Sequence, residues 1–117
     1  IVAAQFHELP KVVFELPQLE ILSLIDNYLH TLPKGLVRLR QLKKLILRNN
    51  QLRELPIEVC WLEHLEILDL SENRLERLPN SLSALRRLKI LYLSRNPLSK
   101  NEQEKIRNIL PQTVIYI

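Results

Sequence analysis

Leu65–Leu75 reads LEILDLSENRL, and the same frame returns as LEILSLIDNYL at Leu19–Leu29, LKKLILRNNQL at Leu42–Leu52 and LKILYLSRNPL at Leu88–Leu98. Successive copies lie 23 residues apart. A second frame keeps the same step: LPKVVFELPQ from Leu9, LPKGLVRLRQ from Leu32, LPIEVCWLEH from Leu55 and LPNSLSALRR from Leu78. A fixed period in this range marks a chain built by stacking one small unit that cannot bury its apolar face alone. Each unit therefore borrows its neighbours to complete the core.

Within the first frame, Leu-x-Leu alternation sends two leucines to one face and the residue between them to the other, which is a short strand. Stacking at the repeat step places Leu22, Leu45, Leu68 and Leu91 in one buried column and Leu24, Leu47, Leu70 and Leu93 in the next. Every return path is alike, so the strands are parallel, about 4.8 Å apart. The returns carry Val13, Leu36, Val59 and Leu82, then Leu16, Leu39, Leu62 and Leu85, three residues apart. That spacing predicts a buried 3₁₀ turn or short helix. Pro10, Pro33, Pro56 and Pro79 suit its start, where no backbone donor is needed. Asn27, Asn50, Asn73 and Asn96 recur where the chain leaves the strand, and a buried amide there can satisfy freed backbone groups of its own and the adjacent unit.

Four copies of LxxLxLxxNxL in register resemble the leucine-rich-repeat family. The 23-residue LPxxLxxLxxL form is similar to bacterial repeats, notably those of spirochaetes, and to the animal Ras-associated group; the ending NPLSKNEQEKIRNILPQTVIYI is similar to the close of the spirochaete proteins. The resemblance implies an α/β fold: a right-handed solenoid with a concave parallel sheet, a 3₁₀ or short-helix convex side and a C-terminal helix–strand cap. It also implies a module that binds a protein ligand, exported or surface-exposed in a bacterium and in contact with host proteins, or an intracellular signalling scaffold if the Ras-group likeness holds.

One domain is expected over 1–117, with a partial first repeat at 1–18, repeats at 19–98 and a cap at 99–117. After Leu98, Asn101 and Glu102 stand where the frame calls for Leu and Pro. Ser99 with Glu102 predicts a capping box, and Ile106, Ile109 and Leu110 at helical spacing predict a helix over Asn101–Leu110, stopped by Pro111. Val114–Ile117 then alternates as a closing strand, fitting the need of a repeat array for distinct ends. At the other end Ile1, Phe6, Leu9, Val13 and Leu16 belong to an incomplete unit with no cap. The chain starts at Ile1 and has no methionine, so its first residue is expected to arise by processing or trimming, which is compatible with a removed signal peptide.

The composition narrows the function. Net charge is +4, spread along the chain without a basic block, and aromatics are 5%, so nucleic acid is not the expected partner. Apolar stretches are broken by charges, so membrane insertion is not expected. Cys60 is the only cysteine, which excludes an intramolecular disulfide. It falls on the return side as a buried or idle thiol, while His64 faces elsewhere. No nucleophile, base and orienting group converge, so no catalytic residue is assigned and the protein is not expected to be an enzyme. His7 and His30 stack one unit apart, but two imidazoles without a third ligand make no metal site. No cofactor is expected, since the lone Gly35 cannot form a glycine-rich phosphate loop.

The outward strand residues remain. By column they are Ile21, Lys44, Ile67 and Ile90; Ser23, Ile46, Asp69 and Tyr92; and Ile25, Arg48, Ser71 and Ser94. Five isoleucines and a tyrosine on a face the core does not need, rimmed by Lys44, Arg48, Asp69 and Glu72, predict a protein-binding surface. Asp26, Asp69 and Glu72 are expected to be solvated. Glu20, Lys43, Glu66 and Lys89 alternate in sign down one column, and Arg40, Glu63 and Arg86 down another, which should favour this unit order. Trp61, on the convex side in line with Arg38 and Ala84, is expected to pack on those neighbours. The protein is expected as a monomer, with end-to-end self-association through the N-terminal face, around Phe6, as the alternative.

Overall fold

The computed structural model describes residues 11–117. Ile1, Phe6, Leu9 and Pro10, expected in the first unit, and His7, considered opposite His30, lie outside them. The described chain alternates 3₁₀ turns with three-residue strands: Lys11–Glu15, β1 (Ile21–Ser23), Lys34–Arg38, β2 (Lys44–Ile46), Ile57–Trp61, β3 (Ile67–Asp69), Asn80–Ala84 and β4 (Ile90–Tyr92). The helix α1 (Lys100–Ile109) and β5 (Val114–Tyr116) follow. The five strands form one sheet in sequence order, every pair parallel.

Register follows the repeat step. Leu22 pairs with Leu45, Leu45 with Leu68 and Leu68 with Leu91, and all four are fully buried together with Leu24, Leu47, Leu70 and Leu93. A one-residue slip would turn these leucines to solvent, so burial itself locks the register. Opposite the sheet, Val13, Leu36, Val59 and Leu82 are buried on the 3₁₀ turns. Pro33, Pro56 and Pro79 precede these turns in extended conformation, and their carbonyls accept from the amides of Leu36, Val59 and Leu82 at 3.1–3.2 Å. They therefore cap the turns rather than begin them. Leu39, Leu62 and Leu85 are buried as expected, but Leu16 is 40% exposed. The inner leucines of this column lie between two units, whereas among the described residues Leu16 has a neighbouring unit on one side alone.

Asparagine builds the spine. Asn73 donates through Nδ2 to the carbonyls of Leu47 (2.9 Å) and Leu70 (3.0 Å), while its Oδ1 accepts from the Leu52 amide at 3.1 Å. Asn50 does the same for Leu24, Leu47 and Leu29, and Asn96 for Leu70, Leu93 and Leu75. One side chain thus closes its own turn and clamps the preceding unit. Among the described residues no buried side-chain nitrogen or oxygen lacks a partner.

The helix begins and ends one residue earlier than the sequence suggests. Half of the expected capping box forms: the Ser99 hydroxyl accepts from the Glu102 amide at 3.1 Å. The Glu102 carboxylate does not turn back to the cap. It accepts from the Leu78 amide at 2.9 Å, while Lys105 Nζ donates to the Leu78 carbonyl at 2.7 Å. The last repeat leaves that peptide without a following unit, and satisfying it outweighs closing the box. Burial pushes the Glu102 carboxyl up, but the bonds from Lys105 and the Leu78 amide and the charges of Lys105 and Arg77 hold it below the usual carboxylate range. Ile106 and Leu110 then seal the core.

Candidate functional site

The concave surface is built from residues that alternate with the buried leucines. The strand pairings align Ile21, Lys44, Ile67 and Ile90 in one column and Ser23, Ile46, Asp69 and Tyr92 in the next. Beyond the strands, Ile25 is half-buried, Arg48 exposed, Ser71 buried and Ser94 half-buried. Ile21 is half exposed, Lys44 is exposed, and Ser23, Ile46, Ile67, Ile90 and Tyr92 are half-buried. The face keeps its apolar side chains on the surface because, among the described residues, no second layer covers this side of the sheet.

One residue departs from the expected charged border. Asp69 is 9% exposed, and its Oδ1 accepts from the Ser71 amide at 3.0 Å and from the Ser71 hydroxyl at 2.6 Å. An Asp two residues before a free amide readily closes such a turn, so its carboxylate is hydrogen-bonded locally and largely buried instead of solvated. Lys44 and Arg48 are different: their side chains have no hydrogen-bond or ion-pair partner among the described residues. Both line a groove of about 520 Å³ together with Ile67, Asp69, Glu72, Tyr92 and Arg95.

At the lip of the groove Asp26, Asn49, Glu72 and Arg95 all have left-handed backbone, with φ of 59°, 57°, 57° and 62°. Asp and Asn tolerate this region; for Glu72 and Arg95 it is strained, at about 1 kcal/mol or more each. Ladder bonds impose it: the amides of Asp26, Asn49 and Glu72 donate to the carbonyls of Arg48, Ser71 and Ser94 at 2.8–3.1 Å. The side chains also link, Asn49 Nδ2 to Asp26 Oδ1 at 2.7 Å and Arg95 to Glu72 at 3.3 Å. No glycine marks this turn, and only Asp26 and Asn49, of types that tolerate the left-handed region, signal it in the sequence.

Val114 and Tyr116 complete the surface and were missed by the sequence reading. β5 pairs with β4 so that Val114 extends the Ile90 column and Tyr116 the Tyr92 column. The two tyrosine rings stack with centroids 5.1 Å apart and planes 12° apart. The available signal was the V-I-Y alternation, with Ile115 in the leucine column; the register step from Leu91 is 24 residues, not 23.

The expected charge ladder forms in the first column, where Lys43 meets Glu20 at 3.1 Å and Lys89 meets Glu66 at 3.0 Å. The hydrogen bond and charge of Lys89, with Lys43 and Arg87 behind it, hold Glu66 below the usual carboxylate range. The second column forms no such pairs among the described residues: Glu63 lies 3.8 Å from His64, whose ring contacts Arg87. Trp61 is 57% exposed at the end of its 3₁₀ turn, and Ala84 in the next unit is exposed as well. Cys60 is buried, and burial together with the nearby Glu58 charge pushes its thiol up to about 11, so it is held neutral. Among the described residues no three of His, Cys, Asp and Glu gather to hold a metal, and no helix is long and apolar enough to cross a membrane.

The chain belongs to the leucine-rich-repeat family: the family model described as Leucine rich repeat matches residues 1–52 and 40–98. Domains of this family generally mediate protein–protein interaction and are typically non-enzymatic. Among solved structures, the chain is similar to a leucine-rich-repeat protein of Leptospira interrogans, at 40% identity and a TM-score of 0.93 over 97% of this chain. That likeness suggests a bacterial protein and bears out the resemblance to spirochaete repeats. The chain is also similar to TLR13 in a TLR13–ssRNA13 complex, at 26% identity and a TM-score of 0.82 over 97% of this chain. It spans 29% of the Leptospira chain and 17% of the TLR13 chain. No curated protein matches it.

Proposed function

We propose that this chain is a recognition module that holds a protein ligand against its concave sheet, with residues 1–117 acting as one domain. The observation that carries the reading is the uncovered face itself. Ile67, Ile90 and Val114 form a continuous run of apolar side chains that the leucine core does not use, with Ile21 beyond Lys44 in the same column, on strands whose register is locked from below. A rigid platform loses little conformational entropy on binding, which favours affinity. The binding residues on this reading are Ile21, Ser23, Ile25, Lys44, Ile46, Arg48, Ile67, Ile90, Tyr92 and Ser94, with Asp69 and Ser71 shaping the floor. A setting outside the bacterial cell, in contact with host proteins, follows the likeness to the Leptospira protein and is part of the same proposal.

The test is capture from bacterial and host lysates with wild-type protein beside the Ile46→Ser/Tyr92→Ser double variant, followed by affinity measurement on the captured protein. Both side chains are half-buried and Tyr92 stacks on Tyr116, so the variant is expected to lose about 1–2 kcal/mol of stability yet stay folded. Its affinity should fall roughly thirtyfold, the loss of one anchor worth about 2 kcal/mol. Full binding by a folded double variant would remove the concave face as the working surface.

A further inference from the structure

We propose that the ligand segment seated on the concave face is a stretch of protein that is acidic over β2 and apolar over β4 and β5. This rests on the concave face being the binding surface and specifies the chemistry of what it holds.

The charges of the face do not cancel evenly. Glu20 is answered by Lys43, Glu66 by Lys89 and Glu72 by Arg95, whereas Asp26 and Asp69 are hydrogen-bonded to the neutral Asn49 and Ser71 and keep their charge, Asp69 at 9% exposure. Lys44 and Arg48, on either side of Ile46, have no such answer among the described residues. At about 3.3 Å per extended residue their backbone positions are roughly 13 Å apart along the chain. Lys44 and Arg48 are exposed while Asp69 is buried and Glu72 is paired with Arg95, so a partner carboxylate reaching either cation would meet an accessible positive charge that Asp69, in the same groove, offsets only in part.

Across the strands the chemistry changes. The Lys44 column continues as Ile67, Ile90 and Val114, and the Ile46 column ends in the stacked Tyr92 and Tyr116. From β2 to β5 is three strand steps, roughly 14 Å at about 4.8 Å each. A short extended segment crossing the sheet spans that distance, with carboxylates at one end and an aromatic or aliphatic side chain at the other. Single-stranded RNA shares the negative charge, and TLR13 is seen with ssRNA13. The face fits it less well: RNA carries a phosphate at every nucleotide and stacks bases on free aromatic faces. Here the cations without an ion-pair partner cluster on one repeat unit, the tyrosines stack on each other, and isoleucines lie in the neighbouring column.

The experiment pans a display library of random dodecapeptides against the whole chain and measures the best synthetic peptide on three proteins: wild type, Lys44→Glu/Arg48→Glu and Ile90→Ser/Tyr116→Ser. Thermal melts establish that each variant is folded, and Lys44→Gln/Arg48→Gln replaces the charge reversal if that variant is not. The expected result is enrichment of peptides with Asp or Glu several residues from an aromatic or aliphatic residue. Affinity for the best peptide should fall at least about tenfold on each variant and weaken from about 0.05 to about 0.5 M NaCl. Three results overturn the proposal: no enrichment, enrichment without excess acidity, or equal binding by the charge variant. If the charge variant binds equally while the Ile90/Tyr116 variant is weakened, the concave reading stands and only the acidic specificity fails. If neither variant weakens binding, the concave reading fails too. Tighter binding of an oligouridylate than of any selected peptide, lost on the charge variant, would replace the protein segment with RNA.

Discussion

Replacing Asn73 by Ala isolates one rung of the asparagine spine. The wild-type amide donates to the carbonyls of Leu47, Leu70 and Ser71 and accepts from the Leu52 amide, at 2.9, 3.0, 3.2 and 3.1 Å. Those partners do not suffer equally. The Leu47 carbonyl keeps its bond from Asn50, the Leu70 carbonyl its bond from Asn96, and the Ser71 carbonyl its bond from the Asn49 amide. The Leu52 amide keeps nothing, because Asn73 Oδ1 is its acceptor. The cost is therefore one orphaned buried donor and three thinned acceptors, about 1–3 kcal/mol in all. With a urea dependence of roughly 1–3 kcal/mol per molar for a small domain, the unfolding midpoint should fall by about 1 M. The concave side chains are untouched, so ligand affinity measured below the transition should not change. An unaltered midpoint would show that the ladder is decoration, and a lost affinity in folded protein would show that Asn73 shapes the surface as well.

Deleting Asn101–Ile117 should strip Ile106, Leu110 and β5 from the last repeat and leave the Leu78 peptide unpaired, so the truncated chain should aggregate or unfold; a monomer with wild-type melting temperature would refute the cap. Glu102 gives a pH signature: its native pKa is lowered, so its contribution is present above the ordinary value of 4.5 and is lost as pH falls through the lowered native value. The stability gap between wild type and Glu102→Gln should thus hold from neutral pH to about 4.5 and narrow below it, and a gap that widens in acid would contradict the assignment. Cys60, buried and with its thiol pushed up to about 11, should resist a thiol reagent at mildly alkaline pH until urea unfolds the chain. Rapid stoichiometric labelling of native protein would show that the convex side opens.

The sequence by itself determined the repeat, its strand register and its core. Leucine spacing admits one pairing in which every apolar column is buried, and Asn at a fixed offset from each strand has one economical use, the backbone of its own turn and of the neighbouring unit. It also determined which residues face outward, because alternation over three residues leaves no freedom. Tertiary structure decided what those residues do. Asp69 looks like solvated border charge until the Ser71 amide comes within reach. Glu102 looks like half of a capping box until the Leu78 peptide competes for its carboxylate. β5 joins the sheet after a longer step because α1 replaces the usual return, and that path alone sets Tyr116 against Tyr92. Periodicity fixes contacts that recur in every unit, whereas contacts made once depend on distances between side chains far apart in the chain, which only the folded molecule supplies.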